Sequence, residues 1–109
     1  MSFLNDGIQS IVVNIAALGD NTIVAGVATQ KVYVFALWLW SNGIVTATIK
    51  TGAGTNLTGG MALVAQSNPR FDILQPNNEP WFITTAGNGL LINLGAAIQV
   101  SGCMLYKQG

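Results

Sequence analysis

The sequence predicts an all-β domain, an antiparallel β-sandwich or a barrel, and three observations carry that prediction. About eight strand-like segments follow one another at short, even spacing, separated by clusters of glycine, asparagine, serine and proline. No segment sustains an apolar period near 3.6 residues, so almost no helix is expected. The longest apolar run, Val32 to Trp40, breaks off at Ser41-Asn42-Gly43, residues that favour a turn.

Met1 to Gly7 shows no clear periodicity. It is either a frayed end or, because Phe3, Leu4 and Ile8 are apolar, a short arm over residues 1–8 that docks on a partner. Residues 9–109 are expected to form one β-sandwich domain. From Gln9 to Leu18, Ile11, Val13 and Ile15 alternate with Ser10, Val12, Asn14 and Ala16, the mark of a strand. Gly19-Asp20-Asn21 reads as a turn, and Thr22 to Val27 as a second strand. Ala28-Thr29-Gln30 connects it to the next.

The stretch from Lys31 to Lys50 is the one the chain is organised around. It holds two of the three tryptophans and no charge between its bracketing lysines. A spanning helix needs about 20 consecutive apolar residues, and the turn interrupts this run far sooner, so the stretch reads as a β-hairpin. Strict alternation places Val32, Val34, Ala36, Trp38 and Trp40 on one face of its first arm, and Tyr33, Phe35, Leu37 and Leu39 on the other. Both faces are apolar. One must meet the core, and the other a second layer or a neighbouring subunit. The return arm puts Ile44, Thr46, Thr48 and Lys50 opposite Val45, Ala47 and Ile49, a half-buried strand.

Thr51 to Gly60 is rich in glycine and threonine, with a further short strand expected within Leu57 to Val64. Ala65 to Pro80 carries all three prolines and reads as a long loop, with a brief extended piece around Phe71 to Leu74. Strand character resumes from Trp81 to Thr85, Asn88-Gly89 marks a turn, and Leu90 to Leu94 alternates again. The last strand sets Ile98, Val100, Gly102, Met104 and Tyr106 against Gln99, Ser101, Cys103 and Leu105.

Composition limits function. Only 7% of the 109 residues are charged, against roughly 25% in ordinary soluble domains. A solitary monomer normally carries more charge, so part of this surface is expected to be covered by copies of the chain or by another protein. Lys31, Lys50, Arg70 and Lys107 balance Asp6, Asp20, Asp72 and Glu79 to a net charge of 0, which leaves no footprint for a phosphate backbone. No nucleic-acid partner and no membrane partner are expected. Cys103 is the only cysteine, so neither an intramolecular disulfide nor a cysteine zinc site can form. The start of the chain lacks a basic region followed by an apolar core, so no secretory signal is expected.

Catalytic groups are scarce. With no histidine, the usual general base and the Ser-His-Asp and Cys-His arrangements are excluded. Asp72 and Glu79 flank the long loop and read as solvated charges rather than a glycosidase pair or a calcium site. Gly52-Ala53-Gly54 starts like a dinucleotide fingerprint but has Leu57 where a third glycine belongs; Gly54 to Gly59 has P-loop spacing, but Gly60-Met61 replaces its lysine and hydroxyl residue. No enzyme, metal or cofactor is expected. The aromatics Tyr33, Phe35, Trp38, Trp40, Phe71, Trp81 and Phe82 read either as a sugar-stacking platform or as core and interface anchors.

Several pieces in order carry a resemblance: Gly19-Asp20-Asn21-Thr22-Ile23-Val24, Lys31-Val32-Tyr33-Val34, Leu57-Thr58-Gly59, and Gly89-Leu90-Leu91-Ile92-Asn93-Leu94 through Ala96-Ala97-Ile98-Gln99-Val100 to Gly102 and Tyr106. Over about residues 10–106 the chain resembles small tailed-bacteriophage head decoration (cement) proteins. That resemblance implies a compact, jelly-roll-like β-sandwich on the outside of a capsid, made in the bacterial host cytoplasm. It also implies a homotrimer bound to the major capsid protein. On this reading Phe3, Leu4, Ile8, Phe35, Trp38 and Trp40 are the expected oligomer and partner interface. A carbohydrate- or receptor-binding module of a phage tail or fibre is the alternative. Trp38→Asp or Trp40→Asp is expected to disrupt the core or the oligomer, and Thr46→Asp to be mild.

Overall fold

The strand that the sequence marks out, β3 (Val32–Ser41), is the longest, and it is paired along both edges. The computed structural model describes residues 7–72 and 79–109. Among these, nine further strands and no helix occur: β1 (Gln9–Ile15), β2 (Gly19–Val24), β4 (Val45–Thr51), β5 (Thr55–Asn56), β6 (Met61–Leu63), β7 (Arg70–Phe71), β8 (Phe82–Ile83), β9 (Leu90–Leu94) and β10 (Val100–Gln108). Met1 to Asp6, with Phe3 and Leu4, and Ile73 to Asn78 lie outside the described residues.

All pairings are antiparallel and fall into two five-stranded sheets. One runs β1-β10-β3, with β7 and β8 sharing the far edge of β3; the other runs β2-β9-β4, with β5 and β6 sharing the far edge of β4. The chain changes sheet at each of its first three connections. This is jelly-roll order, its ten strands filling eight positions.

The hairpin expected around Ser41-Asn42-Gly43 does not form. β3 and β4 belong to different sheets, because both edges of β3 are already taken. On its far edge Leu39 N–H donates to Pro69 O (2.9 Å) and Ser41 N–H to Ser67 O (3.0 Å), while Trp81 N–H donates to Val34 O (2.7 Å). The turn instead crosses the sandwich: Ser41 Oγ–H donates to Gly43 O (2.7 Å) and Asn42 N–H to Gln99 O (3.0 Å).

A second correction concerns the faces of β3. Opposite β10, Leu105 pairs with Ala36 but Tyr106 pairs with Val34, so Phe35 is an extra residue. Such a bulge switches the parity of everything beyond it. Val32, Val34, Leu37 and Leu39 therefore all point inward and are fully buried, while Tyr33, Phe35, Trp38 and Trp40 point outward. The two tryptophans are not on the face of Val32 and Val34, and they are not core.

Smaller differences follow from turn chemistry. Gly19-Asp20-Asn21 is the start of β2 rather than a turn; the corner is Ala16-Ala17-Leu18, and Gly19 opens β2 at φ 95°, where glycine is favoured. The core between the sheets joins Val13, Val32, Val34, Leu37, Leu39, Val100 and Met104 to Val45, Ala47, Ile49, Leu90, Ile92 and Leu94.

Candidate functional site

The two outer faces of the sandwich have opposite chemistry. On the β4 sheet, Asp20, Asn93 and Thr48 form one row, and Thr22, Leu91 and Lys50 the next. Asn93 Nδ2–H donates to Asp20 Oδ1 (2.8 Å), and Lys50 Nζ–H donates to Asp20 Oδ1 (3.2 Å) and Ala53 O (2.6 Å). This is an ordinary solvated face.

The Asn93 hydrogen bond, aided by Lys50 and opposed by partial desolvation, holds the Asp20 carboxyl below its ordinary value. A carboxylate with a depressed folded pKa contributes stability above its unfolded pKa and loses it as pH falls through the folded one. Asp20→Asn should therefore lower the urea midpoint slightly at pH 7, with the gap to wild type closing below pH of about 4. Urea titrations across that acid range check it; a gap that widens with acid contradicts it.

The β3 sheet presents something else. Along its outer face Asn14, Ser101 and Trp40 share one row, and Val12, Cys103, Trp38 and Arg70 the next. Ser10, Leu105 and Ala36 follow, then Lys107, Tyr33 and Ile83. Trp38 and Trp40 are 40% and 41% exposed, Ile83 45% and Val12 74%, so the apolar surface runs from edge to edge. Charge is confined to Lys107 and to Arg70, whose Nε–H donates to Asp72 Oδ2 (2.8 Å). Aromatic surface with little charge is the composition of an interface centre.

Among the expected contact residues, the fold brings Phe35, Trp38 and Trp40 onto this one face. It does not bring Ile8 to Trp40. Ile8 precedes β1 beside the Tyr106 end of β10, whereas Trp40 lies opposite Ser101 at the other end. Phe71, Trp81 and Phe82 form a separate cluster. Phe71 packs edge-on to Trp81 (5.6 Å) and Phe82 (5.2 Å), and Phe71 and Phe82 lean on the core. They brace the far edge of β3 and are not part of the face.

Sequence reading missed Val12 and Ile83 on this face, and also Leu18, Ile44 and Val64. Those last three are exposed tips of three different loops at the Trp40 end of the sandwich. The signal for Val12 was present: it is an apolar residue on the polar side of an alternating strand, between Ser10 and Asn14.

Among the described residues no three of His, Cys, Asp or Glu come together. No described helix is long and apolar enough to cross a membrane. Cys103 is half-buried on the outer face, across from Trp38. The face offers apolar area and two indole N–H donors, which suit docking. No protein-family model matches the chain, and no curated protein matches it in sequence.

Proposed function

We propose that the chain is a structural subunit of a bacteriophage virion that coats the outside of the capsid, a decoration protein whose partner is the major capsid protein. The observation that carries this reading is the unlike pair of outer faces, one polar and one aromatic and almost uncharged, on a chain with only 7% charged residues. A molecule measuring 39 × 28 × 21 Å has a broad side large enough for a standard interface, which takes about 800 Å² from each partner. The jelly-roll order agrees with the fold that the sequence resemblance implies. A decoration protein needs a rigid body and a contact face, and it stabilises a shell by mass action, binding the assembled state and not the separated subunits.

The exposed Trp38 and Trp40 on the outer face of the sheet also suit sugar stacking, which supports a carbohydrate-binding tail module as the second reading. Incubating the purified chain with undecorated capsids of its phage, then imaging and heating them, separates the two. Ordered attachment and a raised disruption temperature are expected. Absent attachment, together with retention on a glycan array, would overturn the capsid reading in favour of the second.

A further inference from the structure

Each sheet of an open sandwich has two edges, and three of the four here carry a device against pairing. The far edge of β3 is made of β7 and β8, and that of β4 of β5 and β6, all only two or three residues long. The β2 edge carries Asp20 and a bulge at Ile23, where pairing with β9 jumps from Thr22 to Val24. The fourth edge is β1. It pairs only with β10 among the described residues, and its seven residues, Gln-Ser-Ile-Val-Val-Asn-Ile, include no charge and no proline. Its register with β10 is unbroken over its whole length. An edge this long, regular and uncharged, in a molecule that blunts its other three, is open to pairing.

We infer that β1 pairs antiparallel with β1 of a second copy about a twofold axis at Val12. The residue pattern selects that occupant. Centred on Val12, the pairing sets the two Val12 side chains against each other on the outer face, where each copy alone leaves Val12 74% exposed. Ser10 falls opposite Asn14 of the second copy on both sides of the axis. Asn14 Oδ1 already accepts from Gln99 Nε2–H (2.6 Å), which leaves its amide N–H groups to donate to that serine hydroxyl. On the inner face Ile11, half-buried at the edge, falls opposite Val13 of the second copy, which is already covered by its own core. Apolar meets apolar and polar meets polar at every central position, as an isologous contact requires. The two β3 sheets become one, and their aromatic faces become a single platform, because Val12 shares a row with Cys103 and Trp38. This gives a twofold pair rather than the trimer implied by the resemblance. It rests on the fold alone and stands or falls apart from the capsid reading.

The test is cysteine cross-linking of the full chain with Cys103→Ser as background. Opposed residues in an antiparallel pair have Cα atoms about 4.5–5.5 Å apart, within the range a disulfide spans. Val12→Cys should oxidise almost completely to a covalent dimer. Ser10→Cys and Asn14→Cys should each stay monomeric on a denaturing gel alone and cross-link when mixed. In solution the wild-type chain at micromolar concentration should have twice its mass of 11.4 kDa, and Val12→Lys, at an exposed site, should halve it without changing the circular dichroism spectrum. A wild-type monomer would overturn the inference. So would a dimer that survives Val12→Lys, or equal cross-linking by Ser10→Cys alone.

Discussion

Gly102→Ala is expected to destabilise the domain more than a methyl group at any other glycine of the described strands. A Cβ at Gly102 would lie 2.0 Å from the backbone oxygen of Trp38 and 3.0 Å from its carbonyl carbon. Neither atom belongs to a side chain that can swing away. The methyl can be accommodated only if β10 and β3 separate at the middle of their ladder, where Gly102 is paired with Leu39 between Ser101–Trp40 and Cys103–Trp38. Forcing atoms into a packed interior costs about 1–3 kcal/mol, and more when backbone must shift. For a domain of about 100 residues that lowers Tm by about 5–20 °C. Thermal unfolding followed by circular dichroism checks this, and an unchanged Tm would mean that β10 and β3 do not approach so closely. The same close approach explains why a glycine interrupts an otherwise well-filled strand.

Trp38→Asp and Trp40→Asp should have the largest effect on binding and little on folding. Both indoles point away from the core and are two-fifths exposed, so their loss opens no cavity. A desolvated tryptophan at an interface centre is typically worth 2 kcal/mol or more, roughly a 30-fold loss of affinity for each substitution. A buried carboxylate in its place adds a desolvation penalty. Attachment to capsids should therefore fall at least 30-fold for either variant, while the urea midpoint and the β1-paired mass stay close to wild type. Thr46→Asp, on the polar outer face of β4, is the matched control and should leave attachment, fold and mass unchanged. Loss of folding in the tryptophan variants would return these residues to the core. Equal loss of attachment in Thr46→Asp would remove the distinction between the two faces.

Much of this fold is legible in the sequence, and the gaps have definite physical causes. The all-β class follows from β-branched and aromatic residues alternating between turn clusters, and most strands fall close to their expected positions. Which strands pair is not legible at Ser41-Asn42-Gly43, because a turn sequence bends the chain equally well within one sheet or between two. What decides is whether the edge of β3 is free, and that edge is filled by Ser67–Phe71 and Trp81–Thr84, residues remote in sequence.

The faces of β3 are obscured by a single residue. With Phe35 bulged, the inward series passes from Val32 and Val34 to Leu37 and Leu39, and alternation counted from the sequence mixes buried valines with exposed tryptophans. One feature of the strand is independent of parity: apolar on both sides, it has more apolar surface than one core can cover. Phe35, Trp38 and Trp40 are the outward-facing part of that excess, and Val12, which breaks the polar side of its own strand in the same way, adds to it.

Imaging decorated capsids at a resolution that separates β-strands shows which face of the sandwich meets the shell. Bound subunits should have the outer face of the β3 sheet turned to the shell, Trp38 and Trp40 buried against the major capsid protein, and the Asp20–Lys50 face in solvent. A bound subunit with Trp38 and Trp40 open to solvent and the β4 sheet against the shell would contradict this arrangement.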